Sequence, residues 1–428
     1  MKALYKRLRG MPDLVPEQMS GWQRFESAVR TVMREYSYGE MRTPLVESTD
    51  LFVRSIGEAT DIVEKEMYTW ADRKGSKITL RPENTAGCVR AVIENGLLQP
   101  GSVERIWYSG PMFRYERPQL GRQRQFFQTG AEVYGLSGAA IEAELILLSR
   151  RLWRELGIEK SLTLEINTLG APEDRASYRD TLVNYFNQHK NALDEDSLRR
   201  LSQNPLRILD SKNPALESVI ADAPKLADSL GESSRQHFSD LQSHLRQNNL
   251  EFNLNPNLVR GLDYYSHTVF EWTTDQLGAQ SAVCGGGRYD GLLEQMGAPG
   301  VPGVGWALGM ERVLALMEKL EVIPERARCD IFVVCSDDVS REMALQLAEA
   351  VRDAAPGYSV AQHNEGGSMK SQFKKADKSG AAVALIVGAD EQQAGTVTIK
   401  PLRSSGEQKT VTKDAMGEAL ASILPPLN

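Results

Sequence analysis

Hydrophobic residues recur at helical spacing in the first part of the chain. Behind a turn-rich entry that contains Gly10 and two prolines, apolar side chains return every three or four residues: Trp22, Phe25, Val29, Val32, Met33 and Tyr36. This spacing predicts an amphipathic helix from Ser20 that ends at Tyr38-Gly39. Residues 40–46 then read as an extended segment, whose Pro44 suits a sheet edge or an interface.

Shorter patterns predict a hairpin and two more helices. The candidate strands lie at 67–71 and 77–80, and the candidate helices at 86–95 and 138–156. Thr85 precedes the first of these helices and is a favourable N-cap residue. Glu83 also lies at this helix start, where a carboxylate favours the helix by capping it.

Polar and charged helical segments dominate from Pro172 to about Leu250, with little strand signal. This pattern predicts an inserted helical module. Three histidines, His189, His237 and His244, lie there without a shared spacing, and we expect them on the surface.

Beyond residue 328 the pattern changes to strands that alternate with helices. The candidate strands are 331–335, 358–362, 382–387 and 396–400, and the candidate helices are 341–355 and 371–379. Such alternation is typical of a separate α/β domain. Lys370, Lys374 and Lys378 share one helix face there, which suits a solvated surface and an RNA contact equally well.

The stretch 113–135 carries the most chemistry. It predicts two strands, 106–116 and 124–133, joined by a polar loop, and alternation gives the second strand two unlike faces. One face is apolar: Phe127, Thr129, Ala131 and Val133. The other is Phe126, Gln128, Gly130 and Glu132, which would form a poor core but a suitable pocket floor, with the glycine leaving room for a ligand.

Four arginines lie within eleven residues of this stretch: Arg114, Arg117, Arg122 and Arg124. Guanidinium groups match the geometry of phosphates, so the cluster favours a polyanionic ligand. A solvated hairpin held by salt bridges is the alternative. Arg114 and Glu116, two residues apart on the first strand, are expected to project together.

Composition narrows the setting of this chemistry. The chain has 428 residues and a formal net charge of −7, so any RNA surface must be a local patch. Its four cysteines lack metal-ligand spacing and are expected to be reduced thiols of a cytoplasmic protein. We predict no protein metal ligands, no membrane span and no signal peptide.

The segment FRYERPQLGRQRQFFQTGAEVYG resembles the second signature motif of class II aminoacyl-tRNA synthetases, in the form of the histidyl-tRNA synthetase family. The resemblance implies that Arg114 holds the ATP α-phosphate and that Glu116 reads the adenine amino group. It also implies that Phe126 stacks on adenine and that Arg122 reaches the terminal phosphates. The loop residues Arg117 and Gln119 would meet the acceptor stem of tRNA.

Other segments resemble the same family. They are RPENTA at 81–86, LVRGLDYYSHTVFEW at 258–272, CGGGRYDGLLEQMG at 284–297, which reads as a glycine-rich loop before a helix, and GVGWALGMERVLALMEKL at 303–320. The implied histidine site comprises Glu83, Thr85, Arg114, Gln128, Glu132, Arg260, Tyr264, Tyr265 and Tyr289. Arg260 and Arg114 would act at the reacting α-phosphate, and Arg312 would clamp the ATP tail.

The resemblance implies an α+β fold, with a class II antiparallel sheet flanked by helices. Its expected domains are a catalytic core at 1–325, a helical insertion at about 171–252 and an α/β anticodon-binding domain at 328–428. The implied enzyme is a histidine–tRNA ligase that uses L-histidine, ATP, Mg²⁺ and tRNA(His), as a homodimer.

Two other classes remain for comparison. A catalytically silent relative, such as the regulatory subunit of ATP phosphoribosyltransferase, would be expected to lose the ATP-holding arginines and the anticodon domain. A generic RNA-binding module would leave the pocket residues unexplained. The retained Arg114, Glu116, Phe126 and Arg312 favour the enzyme.

Overall fold

The computed structural model describes residues 4–57, 60–119, 121–203, 205–209, 211, 213–259, 262, 264–278, 282–324, 327–336, 341–363 and 367–424. The chain divides into two compact units, residues 1–323 and 324–428. The described part of the chain contains no helix that is long and apolar enough to cross a membrane.

The first unit is built on a large sheet. Within the described residues its strands are β1 (Gly39–Glu40), β2 (Val46–Ser48), β3 (Tyr68–Ala71), β4 (Lys77–Leu80), β5 (Glu104–Phe113), β6 (Gln125–Tyr134), β7 (Thr163–Thr168), β8 (Asn253–Leu254), β9 (Ser266–Thr273), β10 (Ala282–Arg288) and β11 (Gly303–Gly309). Eight of these described strands form one sheet, in the order β1-β5-β6-β11-β10-β9-β7-β8. Its centre is antiparallel, and only the outer pairs β1–β5 and β7–β8 are parallel. The strands β2, β4 and β3 form a small separate antiparallel sheet.

The helices of this unit cover both faces of the large sheet. They are α1 (Met19–Glu35), α2 (Thr49–Ile56), α3 (Thr85–Glu94), α4 (Ala139–Leu156), α5 (Pro172–Gln188), α6 (Glu195–Gln203), α7 (Glu217–Ala221), α8 (Glu232–Gln247), α9 (Asp290–Gln295) and α10 (Met310–Lys319). Apolar residues of α1, α4 and α10 pack on one sheet face, together with Ala131 and Val133 of β6. The opposite face carries a second apolar cluster, to which α3, α5 and α9 contribute. The two unlike faces predicted for residues 124–133 are therefore confirmed.

The structure corrects several local predictions. The glycine-rich segment of residues 284–287 lies inside strand β10 rather than in a loop. Strand β5 ends at Phe113, so Arg114 and Glu116 lie in the connecting loop. Asn84 is the N-cap of α3, and Thr85 is its first helical residue.

His237 is not a surface histidine. Its side chain is only 17% exposed, and its Nε2 lies 2.8 Å from Oε1 of the fully buried Glu142. No sequence pattern indicated this pair, because the two residues are 95 positions apart.

The second unit contains a five-stranded sheet within its described residues, in the order β13-β12-β14-β15-β16. Its elements are β12 (Ile331–Cys335), α11 (Arg341–Ala354), β13 (Val360–Gln362), α12 (Met369–Lys378), β14 (Val383–Val387), α13 (Ala389–Ala394), β15 (Thr396–Pro401), β16 (Lys409–Thr412) and α14 (Met416–Ala421). The predicted α/β alternation is confirmed, and α13, β16 and α14 are elements that the sequence patterns did not indicate. Their apolar residues are too few to give a clear period.

Candidate active site

The floor of the candidate site is one face of the central strands. Glu132 of β6 lies directly opposite Gly305 of β11, and Gly305 is the third residue of that strand. A Cβ atom on Gly305 would lie 1.6 Å from Oε2 of Glu132, so only glycine accommodates the carboxyl group at this register. The register of two strands thus creates the space for one buried acid.

Glu132 is 1% exposed and is held by two hydroxyl groups. Thr85 Oγ1 donates to its Oε1 at 2.7 Å, and the hydroxyl of Tyr289 donates to its Oε2 at 2.5 Å. Burial raises the pKa of Glu132 to about 8, although both hydroxyl donors oppose that shift. The carboxyl group is therefore protonated at neutral pH, and its pKa lies close to the range in which an imidazole titrates.

Three tyrosines pack together beside Glu132. The ring centroids of Tyr264 and Tyr265 are 4.7 Å apart, and the ring of Tyr289 lies 5.5 Å from Tyr264 and 6.3 Å from Tyr265. All three side chains are buried. Burial raises the pKa of Tyr264 and of Tyr289 well above the usual tyrosine value, so both phenols remain hydrogen-bond donors.

Glu83 caps helix α3 with both carboxylate oxygens. Its Oε2 accepts from the amide of Thr85 at 2.6 Å, and its Oε1 accepts from the amide of Ala86 at 3.0 Å. Burial raises its pKa, and the two amides oppose the shift. Each oxygen has a second lone pair, so the capping role leaves acceptor capacity for a cation.

Gly130 does not leave room for a ligand, which corrects the expectation from the sequence. A Cβ atom there would lie 2.4 Å from the phenol of Tyr108 and 2.8 Å from the carbonyl of Trp306. Tyr108 of β5 faces Gly130 across the strand pair and is buried. The space that the glycine provides is therefore occupied by a protein side chain.

Gln128 lies one step further along the same face of β6. Its side chain is buried, and among the described residues its Oε1 has no hydrogen-bond partner. Buried polar atoms usually have a partner. The Oε1 of Gln128 is thus a buried, unpaired acceptor on the same strand face as Glu132, and it marks a position for a ligand donor.

A second group of side chains forms the charged end of the site. Arg114 lies with its guanidinium carbon 5.3 Å from the ring centre of Phe126 and donates through Nε to the carbonyl of Pro82 at 2.8 Å. Its Nη1 is 3.9 Å from Glu116, and Nη1 of Arg122 is 3.2 Å from the other oxygen of Glu116. The predicted convergence of Arg114, Glu116, Arg122 and Phe126 is thus present in the structure.

Arg312 of α10 joins this charged end from the opposite side. Its Nη1 donates to the carbonyl of Ala282 at 2.5 Å. Burial lowers its pKa, and the positive charge of Arg122 lowers it further. Glu116 and Glu271 oppose this shift, which places both carboxylates in the electrostatic reach of Arg312.

Arg117 and Gln119 are among the exposed residues of the loop between β5 and β6. Gln119 and Arg122 exchange two backbone hydrogen bonds of 3.0 Å, which close the loop. At the base of the loop, the amide of Arg124 donates to the carbonyl of Gly10 at 2.7 Å. The side chains of Arg117 and Gln119 therefore project from a loop whose base is fixed.

Arg260 lies outside the described residues, so its predicted role stays a prediction. Tyr108 and Glu271 also lie on this sheet face, and they were not predicted from the sequence. Tyr108 could have been found by extending the strand alternation from Glu132 to its partner strand. Glu271 faces Gly285 across β9 and β10 and shares the face of Glu132, but nothing in the sequence gives that register.

Two family models match the chain. The model of histidyl-tRNA synthetase matches residues 10–313, and the model of the anticodon binding domain matches residues 330–423.

Solved structures give the same result. The chain is 33% identical to apo histidyl-tRNA synthetase of S. aureus, with a TM-score of 0.81, over 97% of this chain and 99% of that one. Histidyl-tRNA synthetase of Nostoc sp. is 20% identical, with a TM-score of 0.71, over 98% and 100%. An ATP phosphoribosyltransferase regulatory subunit/histidyl-tRNA synthetase of Bacillus halodurans is 19% identical, with a TM-score of 0.62, over 91% and 100%. The last two support the fold alone.

The fold class predicted from the sequence is confirmed by these matches together with the sheet topology. One family model covers most of the chain, and one solved relative is one-third identical over nearly all of it. The chain therefore belongs to the histidyl-tRNA synthetase family.

Proposed function

We infer that the protein is a histidine–tRNA ligase, which activates L-histidine with ATP to histidyl-adenylate and transfers the histidyl group to tRNA(His). The observation that carries this conclusion is the buried Glu132, a titratable acid at one end of a site whose other end holds arginines. The basic ring of an amino acid matches the buried acid, and the phosphates of a nucleoside triphosphate match the arginines.

Recognition of histidine is assigned to the buried end of the site. Glu132 shares one proton with an imidazole nitrogen, and the phenols of Tyr264 and Tyr289 can donate to or accept from the ring. Glu83 and the unpaired Oε1 of Gln128 supply acceptors for the α-ammonium group. Thr85 acts by holding Glu132, and Tyr265 acts by packing against Tyr264.

ATP is assigned to the charged end. Phe126 offers a ring face to adenine, Glu116 accepts from the adenine amino group, and Arg114 holds the α-phosphate. In the structure these groups pair with each other, with Arg114 over the ring of Phe126. ATP binding therefore replaces internal contacts by contacts to adenine and phosphate. Arg122 and Arg312 are placed at the terminal phosphates.

The chemistry requires positioning and charge stabilisation rather than covalent participation of the protein. The histidine carboxylate attacks the α-phosphorus, the bond to the bridging oxygen breaks, and pyrophosphate leaves. A hydroxyl of the terminal ribose of tRNA then attacks the carbonyl carbon, and AMP leaves. Arg114 and Arg260 are assigned to the charge that builds up on the α-phosphate oxygens.

Mg²⁺ fits the donor set at the charged end. The described residues contain no cluster of three or more histidine, cysteine or acidic side chains that could hold a metal by themselves. Mg²⁺ usually binds through one or two carboxylates together with substrate phosphates. Glu271, which acts electrostatically on Arg312, is the carboxylate that would hold it, and the ion would supply neutralising charge at the phosphates.

A catalytically silent relative would not need the charged end of this site. Here Arg114, Glu116, Arg122 and Phe126 lie together, and the family model of an anticodon binding domain matches the second unit. These observations support the enzyme over the silent relative.

The acceptor end of tRNA is assigned to the loop that carries Arg117 and Gln119. Both side chains are exposed, whereas the base of the loop is fixed between Arg124 and Gly10. Gln119 can both donate and accept, which suits reading of a base edge, and Arg117 suits a base or the 5′ phosphate.

The cytoplasm is the proposed location. No disulfide joins the cysteines of the described residues, and three of the four cysteines are buried, which suits a reducing compartment. Cell fractionation tests this assignment.

The first prediction concerns amino-acid dependence. ATP–pyrophosphate exchange without tRNA should respond to L-histidine and hardly to the other nineteen amino acids, because the buried acid and phenols suit only a basic ring. In Glu132→Gln the KM for histidine should rise strongly, since the amide cannot share the proton that Glu132 and the ring hold between them. A clear preference for another amino acid would refute the proposed function.

The second prediction concerns pH. Free imidazole side chains titrate near pH 6.5 and Glu132 at about 8, so between these values the two separated partners together hold one proton. If the complex also holds one proton, binding takes up a proton above pH 8 and releases one below pH 6.5. The affinity for histidine, measured by calorimetry without ATP, should therefore fall on both sides of this window.

The matched control for this pH profile is Glu132→Gln, whose amide does not titrate. This variant should lose the decline above pH 8 and keep the decline below pH 6.5. If the upper decline persists unchanged in the variant, it belongs to the α-ammonium group of histidine and not to Glu132.

The third prediction separates the two half-reactions. Gln119→Ala should leave histidyl-adenylate formation unchanged but slow transfer to tRNA, because the side chain lies outside the adenylate site. The defect should shrink on tRNA(His) that lacks its extra 5′ guanosine. An equal defect on both tRNAs would show that Gln119 does not read that base.

The fourth prediction is a homodimer. Leu45 directly precedes the small sheet, and Val46 and Trp70 lie in it. These three side chains are 39% to 43% exposed, and they form apolar surface that a second copy would cover. Sedimentation equilibrium should give twice the chain mass of 47.5 kDa. Replacing Val46 and Trp70 by lysine should yield monomers, whereas dimers that persist in this variant would place the interface elsewhere.

A further inference from the structure

The helical module formed by α5 to α8, residues 172–247, contacts the core directly behind the tyrosines of the amino-acid site. Two contacts reach from the module to the rear of that site, and they start from different helices. One runs from His237 of α8, and the other from Arg175 of α5.

The first contact runs from His237 through Glu142 to Arg288, the chain neighbour of Tyr289. His237 Nε2 and Arg288 Nε both lie on Oε1 of Glu142, at 2.8 and 2.5 Å, and Glu142 and Arg288 are almost fully buried. Despite burial, the pKa of Glu142 is lowered by the hydrogen bond from His237 and by the charge of Arg288, so the carboxylate is ionised. Arg288 is the residue immediately before Tyr289.

Arg288 is fixed on all sides. Its guanidinium also donates to the carbonyls of Leu136 and Gly138 and to Asp290, at 3.2, 2.9 and 3.1 Å. Both chain neighbours of Tyr289 are therefore anchored by their side chains. The anchored backbone holds the Tyr289 hydroxyl at Glu132, and Glu142 is the charged centre of that anchor.

The second contact ends at Tyr265. Arg175 Nη1 donates to the backbone carbonyl of Tyr265 at 2.9 Å. Two residues further on, His267 has φ of +47°, a left-handed conformation that is uncommon outside glycine. The ring of His267 packs 5.1 Å from the ring of His237, and its amide donates to the carbonyl of Gly170 at 2.8 Å. The module thus contacts the chain at Tyr265 and at His267, on either side of the first residue of β9.

We propose that the helical module positions the histidine-binding tyrosines, with His237 acting through Glu142 and Arg288 on Tyr289, and with Arg175 acting on Tyr265. His237 and Arg175 are positioning residues, since neither reaches the site itself. The inference rests on the proposed function, because its readout is the binding of histidine by that enzyme.

The expected signature is specific to one substrate. Tyr264, Tyr265 and Tyr289 contact the amino acid before and during the reaction, so misplacing them removes binding that the ground state and transition state share. The KM for histidine should rise with little change in kcat. The KM for ATP should not change, because Arg114, Glu116 and Phe126 are not part of either contact.

The test is ATP–pyrophosphate exchange without tRNA for His237→Leu, His237→Gln and Arg175→Met. The KM for histidine should rise about tenfold in His237→Leu and in Arg175→Met, as expected when binding groups are displaced slightly. His237→Gln should recover most of the wild-type value, because its amide can still donate to Glu142. His244→Leu is the matched control: it is the same substitution on the same helix, two turns further along, and should behave as wild type.

Two results would overturn the inference, and a third would refute the proposed function. Normal KM values for histidine in both His237→Leu and Arg175→Met would overturn the inference. A joint change of kcat and both KM values, without recovery in His237→Gln, would also overturn it, since that pattern reports general loss of structure. If His237→Leu does not fold, Arg175→Met and His237→Gln still carry the comparison. Absence of histidine-dependent exchange in the wild-type protein would instead refute the proposed function.

Discussion

The burial of Glu132 is the constraint on which the rest of the site depends. A carboxyl group without access to water is costly unless it is hydrogen-bonded, and the protein meets this cost with hydroxyl groups from two other elements. Thr85 reaches it from the start of α3 and Tyr289 from the end of β10. Gly305 must stay without a side chain, because the carboxyl group occupies that space. One buried acid thus fixes the relative positions of two strands, a helix and a turn.

The charged end of the site follows a different rule. Its arginines and Glu116 are partly exposed and pair with each other. Such pairs contribute little to stability in water, so exchanging them for phosphate contacts costs the protein little. The buried end is therefore rigid and selective, whereas the exposed end can rearrange around a large polyanion. Arg114 connects both ends, since it bonds to Pro82 beside Glu83 and lies over Phe126.

The buried polar groups behind the tyrosines show how a peripheral module becomes part of a site. Glu142 comes from α4, Arg288 from the end of β10 and His237 from α8. Glu142 and Arg288 are almost fully buried, and His237 is half-buried. Removing one member of such a group leaves a buried charge without compensation, which is far more costly than losing a surface pair. This sensitivity makes the group suitable for holding the adjacent Tyr289 in one place.

The sequence by itself determined most of the elements and the unlike faces of β6, because hydrophobic period and strand alternation are local properties. Through motifs it also indicated the family and most residues of the site. The tertiary structure alone decided which strands are neighbours, and hence that Gly130 accommodates Tyr108 while Gly305 accommodates Glu132. It also decided that His237 is a half-buried partner of Glu142, since residues 95 positions apart leave no joint pattern in the chain. Register and burial arise only when distant segments pack, and the side chains between them then acquire partners and shifted pKa values that no local pattern specifies.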